Sequence, residues 1–510
     1  PPHTPDRRPA LGALDVWIGA ALALAFGLLY AATLQHWLWN DGFFVAKRLE
    51  WNEPGLWPHP AYLPVARAFN VVLPGPGPYE GLFATSWTPG AAAIGLLFLV
   101  ARAFGAARLP SVFAAALWAV TPAHWFFSTT IEVHTLHAAG VALAALIALR
   151  APWRRGFAGI AAAAAGFFLV PLTHLMAPLL APGWIALCAL SARAAGAPLG
   201  MRRLALGLIP LLALGGVVAF ALTSLYYWND SVLGGFKGTA AQIEEHLTEG
   251  GLVWWRDDVL KPLGPALIAI AAGVGVLTRE AVRGRGSAAE PRAAWFATRP
   301  AVLALAIVPL TAFTAWWAVP NEGGYLLGTA PFFATVMALG AAGPVARWPR
   351  WVWIPLAAVL LGWTGYLGYG HATRWRSEHV EQRRDERAAQ VRLILGDRGV
   401  LVSFDTWKQP VGLDVRGVRE SQRVRQVQDA LRDSIAPSDV MADIAWKTRA
   451  LALEHPEGVA IDLHFRALGA INPYLRPFAD ALEAELAKYV ELEEFPHPRW
   501  PMARVRAREP

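Results

Sequence analysis

Only one cysteine, Cys188, occurs in the 510 residues, so no disulfide can form within the chain. It lies in an apolar run, where a small buried side chain is its expected role. Charge is scarce as well: 16% of residues are charged against 55% hydrophobic, and mean hydropathy is positive. An ordinary soluble chain of this length carries more charge, so lipid must solvate much of this one's surface. The sequence also lacks a CxxC pair, an HExxH, an Asp-x-Asp motif and a glycine-rich phosphate or dinucleotide fingerprint. A nucleotide-sugar donor therefore has no evident binding site. No fixed-period repeat and no visible inverted halves are present.

Long apolar runs are what the sequence has instead. Roughly 20 apolar residues cross about 30 Å of hydrocarbon at 1.5 Å per residue. About eleven runs meet that length, near 14–34, 88–104, 109–123, 131–149, 157–172, 173–190, 203–225, 262–278, 300–319, 325–341 and 351–369. The first is too long for a signal-peptide core and reads as a retained anchor. Pro122 and Pro171 make the divisions beside them the hardest to place, because proline kinks a spanning helix as well as ending one. The expected fold is mainly α: a polytopic bundle over 1–370 with a soluble α/β domain over 371–510.

Net charge is +7 and the isoelectric point is near 9.7. Nucleic acid is not the implied partner, because the arginines sit where membrane topology wants them. Arg7, Arg8, Arg102, Arg108, Arg150, Arg154, Arg155, Arg193, Arg202, Arg203, Arg347 and Arg350 flank alternate loops, which with the N-terminus face the cytoplasm. The opposite loops, 35–87, 124–130, 226–261 and 320–324, face outward. An odd number of spans puts 371–510 outside too. Many of the 24 tryptophans, Trp37, Trp39, Trp87, Trp125 and Trp228 among them, fall near span ends as interfacial anchors. The loop 35–87 interleaves aromatic and basic residues as surface helices do, and 239–248 reads as a second such helix.

Beyond His371 the composition turns soluble. A charged helix is expected over 374–395, strands over 399–405 and 459–465, and helices near 420–434, 438–454 and 476–489. This domain shows no independent active-site motif, so an accessory role is expected of it.

Ionisable groups at membrane depth are costly unless paired or useful, and here they gather on the outward side. Asp41 follows the first span, beside Gly42. Glu132 enters the fourth span with His134 and His137, three apart on one helical face. His174 ends the next span, and Glu322 and Tyr325 precede the tenth. Each has a plain structural role as an alternative: a turn residue, a helix cap, a packed histidine. A divalent metal on His134 and His137 with Glu132 or Asp41 competes with hydrogen-bonded packing. If the loops converge, they form a cavity at the outer interface suited to a substrate that is half lipid.

In this order the residues resemble the polyprenyl-phosphate-dependent membrane glycosyltransferases of GT-C type, especially the protein O-mannosyltransferase-like branch. Asp41 matches the branch's aspartate after the first span. Pro58-His59-Pro60-Ala61-Tyr62-Leu63-Pro64 matches, imperfectly, its His-Pro/Gly-Tyr-Pro-Leu run. Thr121-Pro122-Ala123-His124-Trp125 leads to Glu132-Val133-His134-Thr135-Leu136, with His134 in place of the usual Tyr. Leu172-Thr173-His174 and Glu322 to Leu326 complete the set, which covers about residues 36–330. One departure is plain: where the branch has a second acid soon after its aspartate, this chain has Gly42, Phe43 and Phe44, leaving Glu50 or Glu53 to substitute.

The resemblance implies transfer of a hexosyl, mannosyl-like group from a polyprenyl-phosphate donor to a hydroxyl on a protein, glycolipid or wall polymer, with no cofactor. Asp41 is then the general base of a single inverting displacement, since a carboxyl titrating near 3.9 is ionised at neutral pH. Arg67, Lys237 and Arg256 are the candidates to hold the leaving phosphate, snorkelling being their plain alternative. His59, Tyr62, Glu132, His134, His174, Glu322 and Tyr325 are the candidates to hold sugar or acceptor. A bacterial plasma membrane fits the arginine-rich, lysine-poor composition. Two other classes stay open: a multi-span transporter, which would place its charges at the bilayer centre, and a non-catalytic envelope assembly or sensor protein.

Overall fold

The computed structural model of the chain describes residues 11–35, 45, 49, 59–73, 80–174, 176–197, 207–209, 255–285, 298–316, 323–373, 378–396, 398–402, 418–421, 437–463, 465–466, 476–497 and 501–509. The chain divides into two compact units, one of Pro1–Gln35 with Arg48–Arg374 and the other of His36–Lys47 with Trp375–Pro510.

The first unit is helical. Helix α1 (Ala13–Ala32) is apolar throughout apart from Asp15, which is buried near its start and held by Arg102 at 3.2 Å and Arg108 at 2.7 Å. A buried carboxylate persists only when paired, and these two arginines tie α1 to α3 (Glu80–Ala103) and α4 (Arg108–Ala119). Between α1 and α3 lies α2 (Tyr62–Val72), which buries Tyr62, Leu63 and Ala66 and exposes Val71 and Val72. Further along the α1–α3 contact the backbones meet through glycine. A Cβ on Gly95 would lie 2.5 Å from the Gly19 carbonyl oxygen. Small residues of this kind let helices approach where lipid supplies no hydrophobic drive.

Helix α5 (Pro122–Thr129) opens with Pro122 in its first turn and Thr121 as N-cap, the hydroxyl accepting the His124 N–H at 3.4 Å. A break at 130–133 turns the chain by 114° into α6 (His134–Arg150). Then follow α7 (Phe157–Thr173), with Pro171 inside its last turn, a short 3₁₀ turn, and α8 (Ala181–Ala194). A π-helical turn (Trp255–Leu260) and a bend of 91° precede α9 (Ala266–Arg285), followed by α10 (Arg299–Trp316). A 3₁₀ helix (Gly324–Thr329) leads into α11 (Ala330–Arg347) and then α12 (Arg350–Thr373). The α9–α11 contact repeats the glycine device: a Cβ on Gly273 would lie 2.0 Å from the Val336 carbonyl oxygen.

Among the described residues, five helices are long and apolar enough to cross a membrane, or seven if each bent pair is one span, with two shorter apolar helices besides. The protein is an integral membrane protein. Several expected boundaries move. The run 109–123 is not one span but α4, at 12 residues about 18 Å long, followed by the separate α5. The expected start at 173 falls on the end of α7 because Pro171 does not break that helix. The span expected over 203–225 and the helix over 239–248 lie almost wholly outside the described residues.

Within its Trp375–Pro510 part, the second unit holds α13 (Glu378–Leu395) and a five-stranded sheet of order β2-β1-β3-β5-β4 among the described residues. Strands β1 (Gly399–Val402), β2 (Val418–Ser421) and β3 (Val459–Asp462) are parallel, and β5 (Met502–Ala507) runs antiparallel to both β3 and the edge strand β4 (Val490–Phe495). Alternation along the strands gives two cores. Val400, Val402, Val459 and Ile461 face α14 (Pro437–Glu454) and α15 (Arg476–Tyr489). Leu401 and Ala460 face Ala388, Val391 and Ile394 of α13. The helix expected over 420–434 begins instead on β2, and 422–436 lie outside the described residues.

Candidate functional site

Arginine-bearing and histidine-bearing ends of the helices are opposite. Helix α6 runs from His134 to Arg150, and α7 runs back from just after Arg155 to Thr173 and His174. The N-terminal end of α1 is held by arginines, and beyond its far end Gln35 bonds to Thr129, N to O at 2.8 Å and Nε2 to Oγ1 at 3.2 Å. The break between α5 and α6, the end of α7, the entrance to α2 and the 3₁₀ helix 324–329 meet at that histidine end.

Four imidazoles collect there. His59 and His174 lie with ring centres 4.5 Å apart, His137 and His174 5.1 Å, and His134 and His174 5.8 Å. Tyr325 stands edge-on to both His134, at 5.3 Å, and His174, at 5.4 Å. Phe127 closes the cluster against His134 at 4.8 Å. The chain is brought in by backbone bonds: Ala61 N–H donates to Leu172 O at 2.8 Å, and His59 Nδ1 meets Thr173 O at 3.2 Å. All four histidines are buried, His134 at 7% exposure and His137 and His174 at 2%. Burial disfavours the charged imidazole and pushes His59 down to about 4, its bond to the Thr173 carbonyl opposing this only in part.

What sets these histidines apart from a packed one is that their hydrogen bonding is incomplete. His124, on α5, has both nitrogens used: Nε2 on Gly90 O at 3.0 Å and Nδ1 accepting from Trp118 Nε1 at 3.3 Å. By contrast His134 Nδ1, His137 Nε2 and His174 Nε2 are buried with no hydrogen-bond partner among the described residues. An unmet buried polar atom costs about 1–3 kcal/mol, so three together mark a site rather than a core. Glycines let the backbone approach them closely. A Cβ on Gly324 would lie 2.5 Å from His134 Nε2, and one on Gly328 2.8 Å from His137 Nε2.

The other candidate residues fall variously. Tyr62 is buried and donates to Ser86 Oγ at 3.3 Å, because the Ser86 hydroxyl itself donates to Glu132 O at 2.9 Å. Glu132 is buried at the 130–133 break and accepts its neighbour's N–H, Val133, at 3.3 Å. Arg67 is half-buried on α2. Arg256 is exposed and bonds to Asp257 through two contacts of 3.1 and 3.0 Å. Asp41, Lys237 and Glu322 lie outside the described residues. Two histidines carry more of the arrangement than the motifs suggest. His59 enters from a loop, and His137 shares the face of His134, the i, i+3 signal that was legible in the sequence. As for a metal, no group of three or more His, Cys, Asp or Glu among the described residues is placed to hold one.

No protein-family model matches the chain, and no curated protein matches its sequence. Solved structures do. Apo ArnT from Cupriavidus metallidurans superposes with a TM-score of 0.56 at 15% identity, covering 97% of this chain and 98% of that one. The chain has the fold of ArnT. The same protein bound to undecaprenyl phosphate gives 0.54 at 16% identity with the same coverage. The likeness takes in residues of both units of the chain. A partial likeness to the S. cerevisiae protein O-mannosyltransferase Pmt1-Pmt2 complex bound to the sugar donor, TM-score 0.34 at 14% identity, covers 44% of this chain and 34% of that one.

Proposed function

We propose that the protein transfers a sugar from a polyprenyl-phosphate donor to a hydroxyl acceptor on the outer face of a bacterial plasma membrane. The observation that carries this reading is the buried, incompletely bonded histidine cluster in a chain that has the ArnT fold along nearly its whole length. That ArnT has been seen with undecaprenyl phosphate supports a lipid-phosphate donor here. Asp41 acts as general base. It takes the proton of the acceptor hydroxyl as that oxygen bonds to the anomeric carbon, and the bond from that carbon to the phosphate oxygen breaks. The phosphate leaves as an anion and needs no general acid, so one carboxylate suffices and the anomeric configuration inverts. Glu132, His134, His174 and Tyr325 hold the sugar or acceptor, and Arg67 and Lys237 stabilise the departing phosphate. The unit beyond residue 374 lies outside the membrane as an accessory domain.

Asp41→Asn tests the reading. Purified in detergent with polyprenyl-phosphate hexose and a cell-envelope extract as acceptor, it should lose transfer by at least about 10²-fold with expression and unfolding temperature unchanged. Transfer at the wild-type rate would sink the assignment. Transport is the second reading, favoured by one observation, the two sharply bent helix pairs of 114° and 91°. Solute uptake into proteoliposomes without glycoside formation would favour it instead.

A further inference from the structure

The hydrogen bonds around the histidine cluster determine where two of its imidazoles, His137 and His174, carry their protons. Thr173 has one hydroxyl hydrogen, and it is donated to Val170 O at 2.7 Å. The 3.0 Å contact between His137 Nδ1 and Thr173 Oγ1 is therefore an N–H donated by the histidine. In a neutral ring, His137 Nε2 is then a bare acceptor. His174 is the opposite. Its Nδ1 accepts the Met176 N–H at 3.1 Å, so its proton sits on Nε2, which is a donor.

These two Nε2 atoms are among the three without partners, and their rings are 5.1 Å apart. Ring centres that close are compatible with one oxygen about 2.9 Å from each nitrogen. The pair asks for a group that donates to His137 and accepts from His174, which is what a hydroxyl does. A phosphate oxygen, being acceptor only, satisfies His174 but meets the lone pair of His137. A cation meets the N–H of His174. Gly328 lets the backbone pass close beside His137 Nε2, where a Cβ would lie 2.8 Å from that nitrogen.

We propose that His137 and His174 form a subsite for one hydroxyl of the donor's sugar ring, and not for its phosphate. This rests on the glycosyl-transfer reading and deepens it, since it makes the cluster the sugar end of the donor site and adds His137 as a specificity-determining residue. A site built to bond one hydroxyl rejects a ring that lacks it, because both nitrogens are then left buried and unmet.

The test uses the full-length protein in nanodiscs with ¹⁵N-labelled histidine, titrated with polyprenyl phosphate and with its glucosyl, mannosyl and pentosyl forms. The apo spectrum should show Nδ1–H for His137 and Nε2–H for His174. At least one sugar-bearing lipid should shift the Nε2 signals of both histidines, and polyprenyl phosphate alone should not. His137→Phe should weaken binding of that lipid at least about tenfold while polyprenyl phosphate binds as before, and His137→Gln, which restores an acceptor, should recover most of the loss. Signals moved equally by the bare phosphate would overturn the proposal, as would the opposite tautomers. Sugar lipids that bind without touching either signal would overturn it too, leaving a bridging water as the occupant. If neither lipid binds the wild type, the glycosyl-transfer reading itself fails.

Discussion

His124 and His137 are both buried histidines on adjoining helices, and neither residue type nor burial separates them. The distinction is whether a partner waits for each nitrogen: among the described residues, Trp118 and Gly90 for His124, and only Thr173 for His137. Gly328 matters for the same reason. In Gly328→Val the new side chain would press on His137 Nε2, so transfer should fall at least about tenfold in the purified enzyme while expression is retained. His59 offers a pH test. Its folded value, lowered by burial to about 4 from 6.5, means the unfolded chain binds the proton first as pH falls. Its contribution is whole above pH 6.5 and is lost as pH falls toward 4, by about 3 kcal/mol. Thermal unfolding in detergent should therefore shift downward across that window, and less so in His59→Phe.

Between elements, the contacts that define the bundle are backbone approaches through small residues. Gly19 and Gly95 join α1 to α3, and Gly273 meets Val336 between α9 and α11. Gly95→Leu has no room against the Gly19 carbonyl and should cost about 1–3 kcal/mol, read as a lower unfolding temperature. An outward-facing control, Gly362→Leu, has nothing near its Cβ and should change little. Strands β4 and β5 are absent from the expected elements because charge dominates their composition, yet Val490-Glu491-Leu492-Glu493 and Ala503-Arg504-Val505-Arg506 alternate apolar with charged residues. Their outward residues pair across the hairpin, Arg506 with Glu493 at 3.0 Å.

For the whole molecule, topology is the open prediction. Cys188 is buried, so Cys188→Ala gives a cysteine-free background. In it, Leu453→Cys, exposed in the second unit, should react with a membrane-impermeant maleimide in intact cells. Trp348→Cys, in the arginine-flanked turn between α11 and α12, should react only after permeabilisation. The reverse pattern would invert the orientation and place the histidine cluster on the cytoplasmic side.

Membrane insertion and the ends at which the arginines and histidines lie were determined by the sequence alone. Both follow from the length of apolar runs and from charge, which act locally along the chain. The GT-C resemblance was likewise legible in Pro122, Glu132, His174 and Tyr325, which recur in order. What only the tertiary structure decided is which groups meet and which are left unmet. Pro122 starts a helix while Pro171 rides inside one, because each follows from the packing around it and not from proline itself. His59, far from His174 in sequence, is brought to 4.5 Å of it by backbone bonds to the end of α7. The proton on His137 depends on Thr173, a neighbour that exists only once α6 and α7 have packed, whereas that on His174 is set by the local turn to Met176.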